Sequence, residues 1–195
     1  MVPADARAAD ASPAELGSAR APDGARRPPA ASSSLDDAYR RYAPYVAAIA
    51  VRIMGRSDEL DDLVQDVFVE ATRGIASLTE PQAIKGWLAR IAVRASVRRL
   101  RRRRLLCALH LILDEPIDYD ALAAPEATPE QRASVAHVYR LLDDLPAQER
   151  VAWVLRYVQG ETLEQAAALS GCSQSTFQRR LRRASAQLDL ELPDD

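Results

Sequence analysis

Apolar residues recur along this chain at intervals of three and four, and no stretch alternates apolar with polar residues. That period stacks side chains on one face of an α-helix, so the chain is restricted to helix-on-helix packing. The clearest stripe runs from Leu60 through Leu63, Val64, Val67 and Phe68 to Ala71. Aromatic residues are only 5% and glycines only 7 in 195, which argues against a β-sandwich, a barrel or a Gly-rich phosphate cradle. The expectation is an all-α fold of two small helical domains joined by an acidic flexible linker.

Residues 1–34 are dominated by Ala, Pro, Ser, Asp and Arg and hold 5 of the 12 prolines. With almost nothing large and apolar to bury, such a segment cannot offset its ordering entropy and reads as a disordered tail. A start codon assigned too far upstream would give the same composition. From Leu35 helical patterning begins: 35–54, ended by Gly55, with Pro44 near the true start or at a kink; then a helix capped by Ser57 or Asp58; then one from about Gln82 to Leu105, with Ile84, Trp87, Leu88, Ile91 and Ala95 inward. Residues 106–129 read as the linker. Helices follow over roughly 130–144, 147–158, 162–169 and 173–188 of a second domain, 130–190.

The net charge of −2 conceals a sorting of charge. Residues 35–105 hold 14 basic and 9 acidic side chains, whereas 106–146 hold 2 and 8. Cys107 and Cys172 fit no disulfide framework or CxxC pair, and His110 and His137 have no partner at metal-ligand spacing. No cofactor or metal is therefore expected. No apolar run approaches the ~18 residues of a spanning helix, and the N-terminus lacks a signal pattern, so a reduced cytoplasmic setting without membrane insertion is expected.

The strongest local signal lies in residues 162–188. Thr162 and Gln165 have capping-box spacing, Ser170-Gly171-Cys172 makes a tight turn, and Ser173 caps a second helix. Two short helices around a Gly turn form a helix-turn-helix. At 100° per residue, Phe177, Leu181, Ala184 and Leu188 face inward, while Ser175, Arg179 and Arg182 lie opposite, flanked by Thr176, Gln178 and Arg183. Early polar side chains can reach base edges and later arginines can hold phosphates. An ordinary antiparallel helix pair with a solvated basic face is the alternative.

Residues 90–104 place 8 arginines among 15 positions with no acid between them. A helix C-terminus attracts two or three cations, but eight that repel one another call for an anionic polymer. Conversely, Asp58, Glu59, Asp61, Asp62 and Asp66 crowd a helix start, where the dipole favours them even on a solvated face. Trp87 and Trp153 lie on apolar faces and read as core, and Cys172 as a small packed residue.

In combination and in this order, these features resemble the extracytoplasmic-function group of bacterial RNA polymerase sigma factors. Asp61-Asp62-Leu63-Val64-Gln65-Asp66-Val67-Phe68 is similar to that group's polymerase-binding signature. Tyr42-Ala43-Pro44 and Trp87-Leu88-Ala89-Arg90-Ile91-Ala92 also resemble its first domain. Leu145-Pro146, Arg150, Leu155-Arg156, Gly160 and Gly171-Cys172-Ser173 resemble its second.

The resemblance implies roles by position. Asp61, Asp62, Leu63, Gln65 and Asp66 would dock on the clamp helices of core RNA polymerase. The loop near 79–84 and the helix bearing Lys85, Trp87, Arg90, Arg94 and Arg98 would engage and help melt the −10 promoter element. Ser175, Thr176, Gln178, Arg179, Arg182 and Arg183 would read promoter DNA at the −35 element, and the acidic linker would run through the RNA exit path. An anti-sigma protein is implied as a further partner, and no catalysis of the chain's own. Arg94 and Arg98 stand where many members carry Asn and Asp, and Phe177 where a smaller β-branched residue is usual, so an altered −10 preference and a tilted recognition helix are expected. A stand-alone helix-turn-helix regulator, dimeric on a palindromic site, is the competing expectation.

Overall fold

The computed structural model describes residues 31–74, 83–112, 117 and 119–189. The tail expected over 1–34 lies outside the described residues as far as 30, as do the 75–82 connection, 113–116 and 118 of the linker, and 190–195.

Helix α1 spans Ala31–Met54, beginning ahead of the expected Leu35, and Pro44 lies inside it. Gly55 ends it in a left-handed conformation, φ +69°, with its N–H on the Val51 carbonyl at 2.7 Å. Helix α2 is Leu60–Thr72 and α3 is Ile84–Ala108. These three pack on one another through Val46, Ile49 and Ile53, through Leu63, Val67 and Phe68, and through Leu88 and Ile91, all buried. The stripe of α2 points inward as its spacing requires.

The cap of α2 differs from expectation. Glu59 occupies the N-cap position without a capping side-chain bond. Arg56 has taken the Asp58 carboxylate, its Nη2 donating to Oδ2 at 2.6 Å. That bond holds the Asp58 carboxyl below its usual value of 3.8.

A 3-10 turn, Tyr119–Leu122, leads to α4, Pro129–Asp144. Thr128 and Gln131 close a full capping box there, with Pro129 in the first turn where its missing N–H costs nothing. Helix α5, Ala147–Trp153, continues into a π-turn, Val154–Val158. Helices α6, Leu163–Ser170, and α7, Gln174–Asp189, complete the chain. The described residues contain helices and turns and no strand.

The α6–α7 turn forms as its residues dictate. The Gln165 amide donates to Thr162 Oγ1 at 3.2 Å and the Gln165 side chain accepts from the Thr162 amide at 3.0 Å. Gly171 adopts φ +63°, and the Thr176 amide donates to Ser173 Oγ at 3.3 Å. Phe177, Ala184 and Leu188 are buried and Leu181 is half-buried. Trp87, Trp153 and Cys172 pack partly buried against the core.

The core does not divide between an N-terminal and a C-terminal group. Ile53, Leu63 and Ile91 belong to one buried cluster with Leu142, Val151, Leu155 and Phe177. Helix α3 packs on α5 and α6, and the π-turn packs on α1.

Candidate nucleic-acid interface

Three charged faces emerge from this packing. On α2, burial of one stripe forces the intervening residues outward. Asp61, Asp62, Gln65 and Asp66 are exposed. Asp61, Asp62 and Gln65 bond to nothing among the described residues, while Asp66 accepts from Arg99 Nη2 at 2.6 Å. Leu63, expected beside them as a contact residue, is 0% exposed. It belongs to the same inward stripe as Val64 and Val67, so it positions the acidic face and cannot touch a partner. Val69, outside the expected contact set, is 50% exposed and shares a helical face with Asp62, Gln65 and Asp66 at i, i+3, i+4 and i+7 spacing. An apolar residue off the buried stripe was its available signal.

On α3, Lys85 sits over the Tyr45 ring, Nζ 4.6 Å from the centroid. Trp87 lies against Gly74, whose hydrogen leaves room for the indole: a Cβ there would come within 2.7 Å of Cζ2. Arg90 is exposed one turn on. Lys85, Trp87 and Arg90 together with Tyr45 line one crevice. Arg94 and Arg98 continue this side of the helix but converge on one acid, reaching Glu70 at 3.3 and 3.1 Å. Part of their charge is thereby balanced from α2. The loop expected near 79–84 lies outside the described residues except for Ala83 and Ile84.

On α7, Ser175, Arg179, Arg182 and Arg183 are exposed, and Thr176 and Gln178 are half-buried. The Ser175 and Thr176 hydroxyls lie 3.1 and 3.0 Å from Ser173 Oγ, which fixes the helix start. Arg179 and Arg182 have no partner among the described residues; Arg183 reaches Glu149 only at 3.9 Å. Arg180 is half-buried and shares a groove with Arg179, Arg183 and the α3 arginines Arg101 and Arg104. Those two stand in the arginine-rich segment but outside the expected contact set. Their convergence with α7 is long-range, so sequence spacing carried no sign of it.

Among the described residues no helix is long and apolar enough to cross a membrane, and no group of His, Cys, Asp and Glu is arranged to hold a metal. Both cysteines are free.

Comparison with known proteins places the chain in a family. The pattern described as "Sigma-70 region 2" matches residues 38–105, and "Sigma-70, region 4" matches 137–188. The chain is 32% identical over 166 residues to the ECF RNA polymerase sigma factor SigE of Mycolicibacterium smegmatis, covering 82% of this chain and 62% of that protein. It is 30% identical over 155 residues to the ECF RNA polymerase sigma factor SigM of Mycobacterium tuberculosis, covering 80% of this chain and 75% of that one. Its fold is similar to that of the sigma factor RpoE solved with the anti-sigma factor NepR from Bartonella quintana. There the TM-score is 0.59 at 24% identity, over 83% of this chain and 99% of the other. The all-α fold, the two motif-bearing segments and their order agree with these matches, and the chain belongs to the ECF family of RNA polymerase sigma factors.

Proposed function

We propose that this protein binds core RNA polymerase and directs it to promoters, working in the cytoplasm by binding alone and without a cofactor while the polymerase carries out the chemistry. Asp61, Asp62, Gln65 and Asp66, with Val69, dock on the polymerase. Lys85, Trp87, Arg90, Arg94 and Arg98 engage the −10 element, and Ser175, Thr176, Gln178, Arg179, Arg182 and Arg183 the −35 element. On this reading the functional halves are residues 35–105 and 130–190, with 106–129 between them.

The observation that carries the reading is the separation of unpartnered charge. Among the described residues, acids without partners stand on α2 and arginines without partners stand on α7. An acidic face suits a protein surface, and a polar-then-basic recognition helix suits a duplex groove. Strand separation would be driven by capture of unstacked bases at the Trp87 face. Because RpoE was solved with an anti-sigma factor, we infer that a comparable protein restrains this one.

Run-off transcription with purified core polymerase on genomic fragments tests the reading. New start sites that depend on the protein are expected. A folded protein that yields none, and instead forms dimers on palindromic DNA, is a stand-alone regulator.

A further inference from the structure

A cavity of about 150 Å³ lies where α1 ends, α3 ends and α4 turns into α5, and none of its lining residues belongs to the contact sets assigned above. It borders the seam at which α5 caps α1. A helix leaves its final carbonyls without partners from within. Arg150 meets them here: Nε donates to the Ile53 carbonyl at 2.7 Å and Nη2 to the Met54 carbonyl at 2.8 Å, while Nη1 pairs with Asp143. From α3, Arg104 Nη2 donates to the Asp143 and Leu145 carbonyls at 2.9 and 2.7 Å.

The charge lining this cavity is one-sided. Arg56, Arg103, Arg104 and Arg150 border it with a single carboxylate, Asp143. That carboxylate is already engaged twice, by Arg150 and by the Tyr119 hydroxyl. Arg150 spends all three of its nitrogens within the protein.

Arg56 does not. Its side chain is only 10% exposed. Nε and Nη2 are taken by Asp58, Nη2 at 2.6 Å, but the enclosed Nη1 has no acceptor among the described residues. An enclosed guanidinium N–H without an acceptor forfeits a charge-assisted hydrogen bond, so this donor calls for an anion. The rest of the wall is apolar, with Leu100, Cys107, Ile117 and Leu145 in it. Such a wall suits a hydrocarbon body and penalises an inorganic anion that must stay hydrated on every side. Apolar cavities of this volume admit a ligand of about benzene's size.

We propose that this cavity binds a small monocarboxylate with a compact apolar body, its carboxylate on Arg56 Nη1 and its hydrocarbon against Leu100, Ile117 and Leu145. The site stands apart from the polymerase and promoter surfaces and does not depend on their assignment.

The native cysteines supply a test on the full chain. Cys107 lines the cavity and Cys172 does not, and both are free. Alkylation by N-ethylmaleimide, followed at each cysteine by mass spectrometry, therefore carries its own reference. The probe is isovalerate, with isovaleramide as its uncharged counterpart and inorganic phosphate as an anion lacking a hydrocarbon body. Saturation-transfer NMR on the isovalerate methyl groups reads binding directly. A dissociation constant of about 1 mM is expected for so small a ligand.

At isovalerate concentrations tenfold above that constant, Cys107 should react about tenfold more slowly and Cys172 at its former rate. Isovaleramide and phosphate should protect neither. Arg56→Gln should weaken isovalerate about tenfold, the scale of losing one hydrogen bond to a charged group. Ala147→Leu fills the cavity from the start of α5 and leaves the Arg56–Asp58 pair intact, so it decides the matter should Arg56→Gln misfold; saturation transfer should vanish there. Unprotected Cys107 without saturation transfer overturns the site, as does undiminished binding by the folded Ala147→Leu variant. Equal protection by isovaleramide or by phosphate overturns the ligand class. Undiminished binding by folded Arg56→Gln overturns the role of Arg56.

Discussion

Arg99 and Asp66 are joined across the α2–α3 contact: Nη2 donates to the carboxylate at 2.6 Å, and Nη1 of the same guanidinium donates to Glu59 at 2.9 Å. Arg99 is 18% exposed at its side chain, so a largely enclosed arginine ties both ends of the acidic run on α2 to the neighbouring helix. Asp66 thus has a structural duty that Asp61, Asp62 and Gln65 lack.

That difference separates two kinds of docking variant. Asp66→Ala should lower stability by about 1 kcal/mol, and Arg99→Ala by about 1–3 kcal/mol, since a charged hydrogen bond is lost in each. Urea denaturation followed by circular dichroism measures both; equal stability of Arg99→Ala and wild type would contradict the clamp.

Asp62→Ala combined with Gln65→Ala should leave the urea midpoint unchanged and weaken polymerase binding by at least about 1–2 kcal/mol, the scale of removing interface contacts. Co-purification with core polymerase is the check. Wild-type recovery of polymerase by the double variant would remove α2 from the docking surface.

On the recognition helix, base contact and phosphate contact predict different signatures. Arg179→Ala should cost about 1–3 kcal/mol of −35 discrimination, whereas Arg182→Ala should weaken all sequences alike and reduce the salt slope by about 1. Titrations of matched and mismatched −35 duplexes with holoenzyme at several salt concentrations distinguish them.

Glu70 pairs with both Arg94 and Arg98 and offsets part of their combined charge. Because these pairs are exposed, Glu70→Gln should change stability by less than about 1 kcal/mol. It should steepen the salt dependence of promoter binding by freeing two cations for phosphate. An unchanged slope would indicate that neither arginine meets the DNA.

The Arg56 bond that lowers the Asp58 carboxyl pKa makes a directional prediction. A carboxyl with a depressed folded value contributes stability that is present above the usual 3.8 and is lost as pH falls through its folded value. Asp58→Asn should therefore be less stable than wild type at neutral pH, with the difference closing in acid. Thermal melts across that range measure it; a difference that grows on acidification has the wrong sign.

Much of the fold was legible because its signals are local. The α2 stripe, the Thr162–Gln165 box and the left-handed Gly171 each depend on residues a few positions apart. The same logic made Leu63 readable as core, and the motif that suggested a contact role cut across it. Thr128-Pro129-Glu130-Gln131 was an equally clear start signal for α4, hidden by its position at the end of an acidic, proline-bearing stretch. The π-turn at Val154–Val158 has no residue that demands it. Least legible was the seam: Arg150 and Ile53 are 97 positions apart, and nothing periodic links a buried arginine to the carbonyls it will cap.

The continuous buried cluster carries a consequence for inheritance. Ile53 and Leu155 lie in different motif-bearing segments yet share one cluster. A cavity opened at either site is therefore transmitted to both segments, and a defect in promoter reading can originate in the half that never touches that element. Mutational damage in this protein need not map to the surface whose failure reveals it.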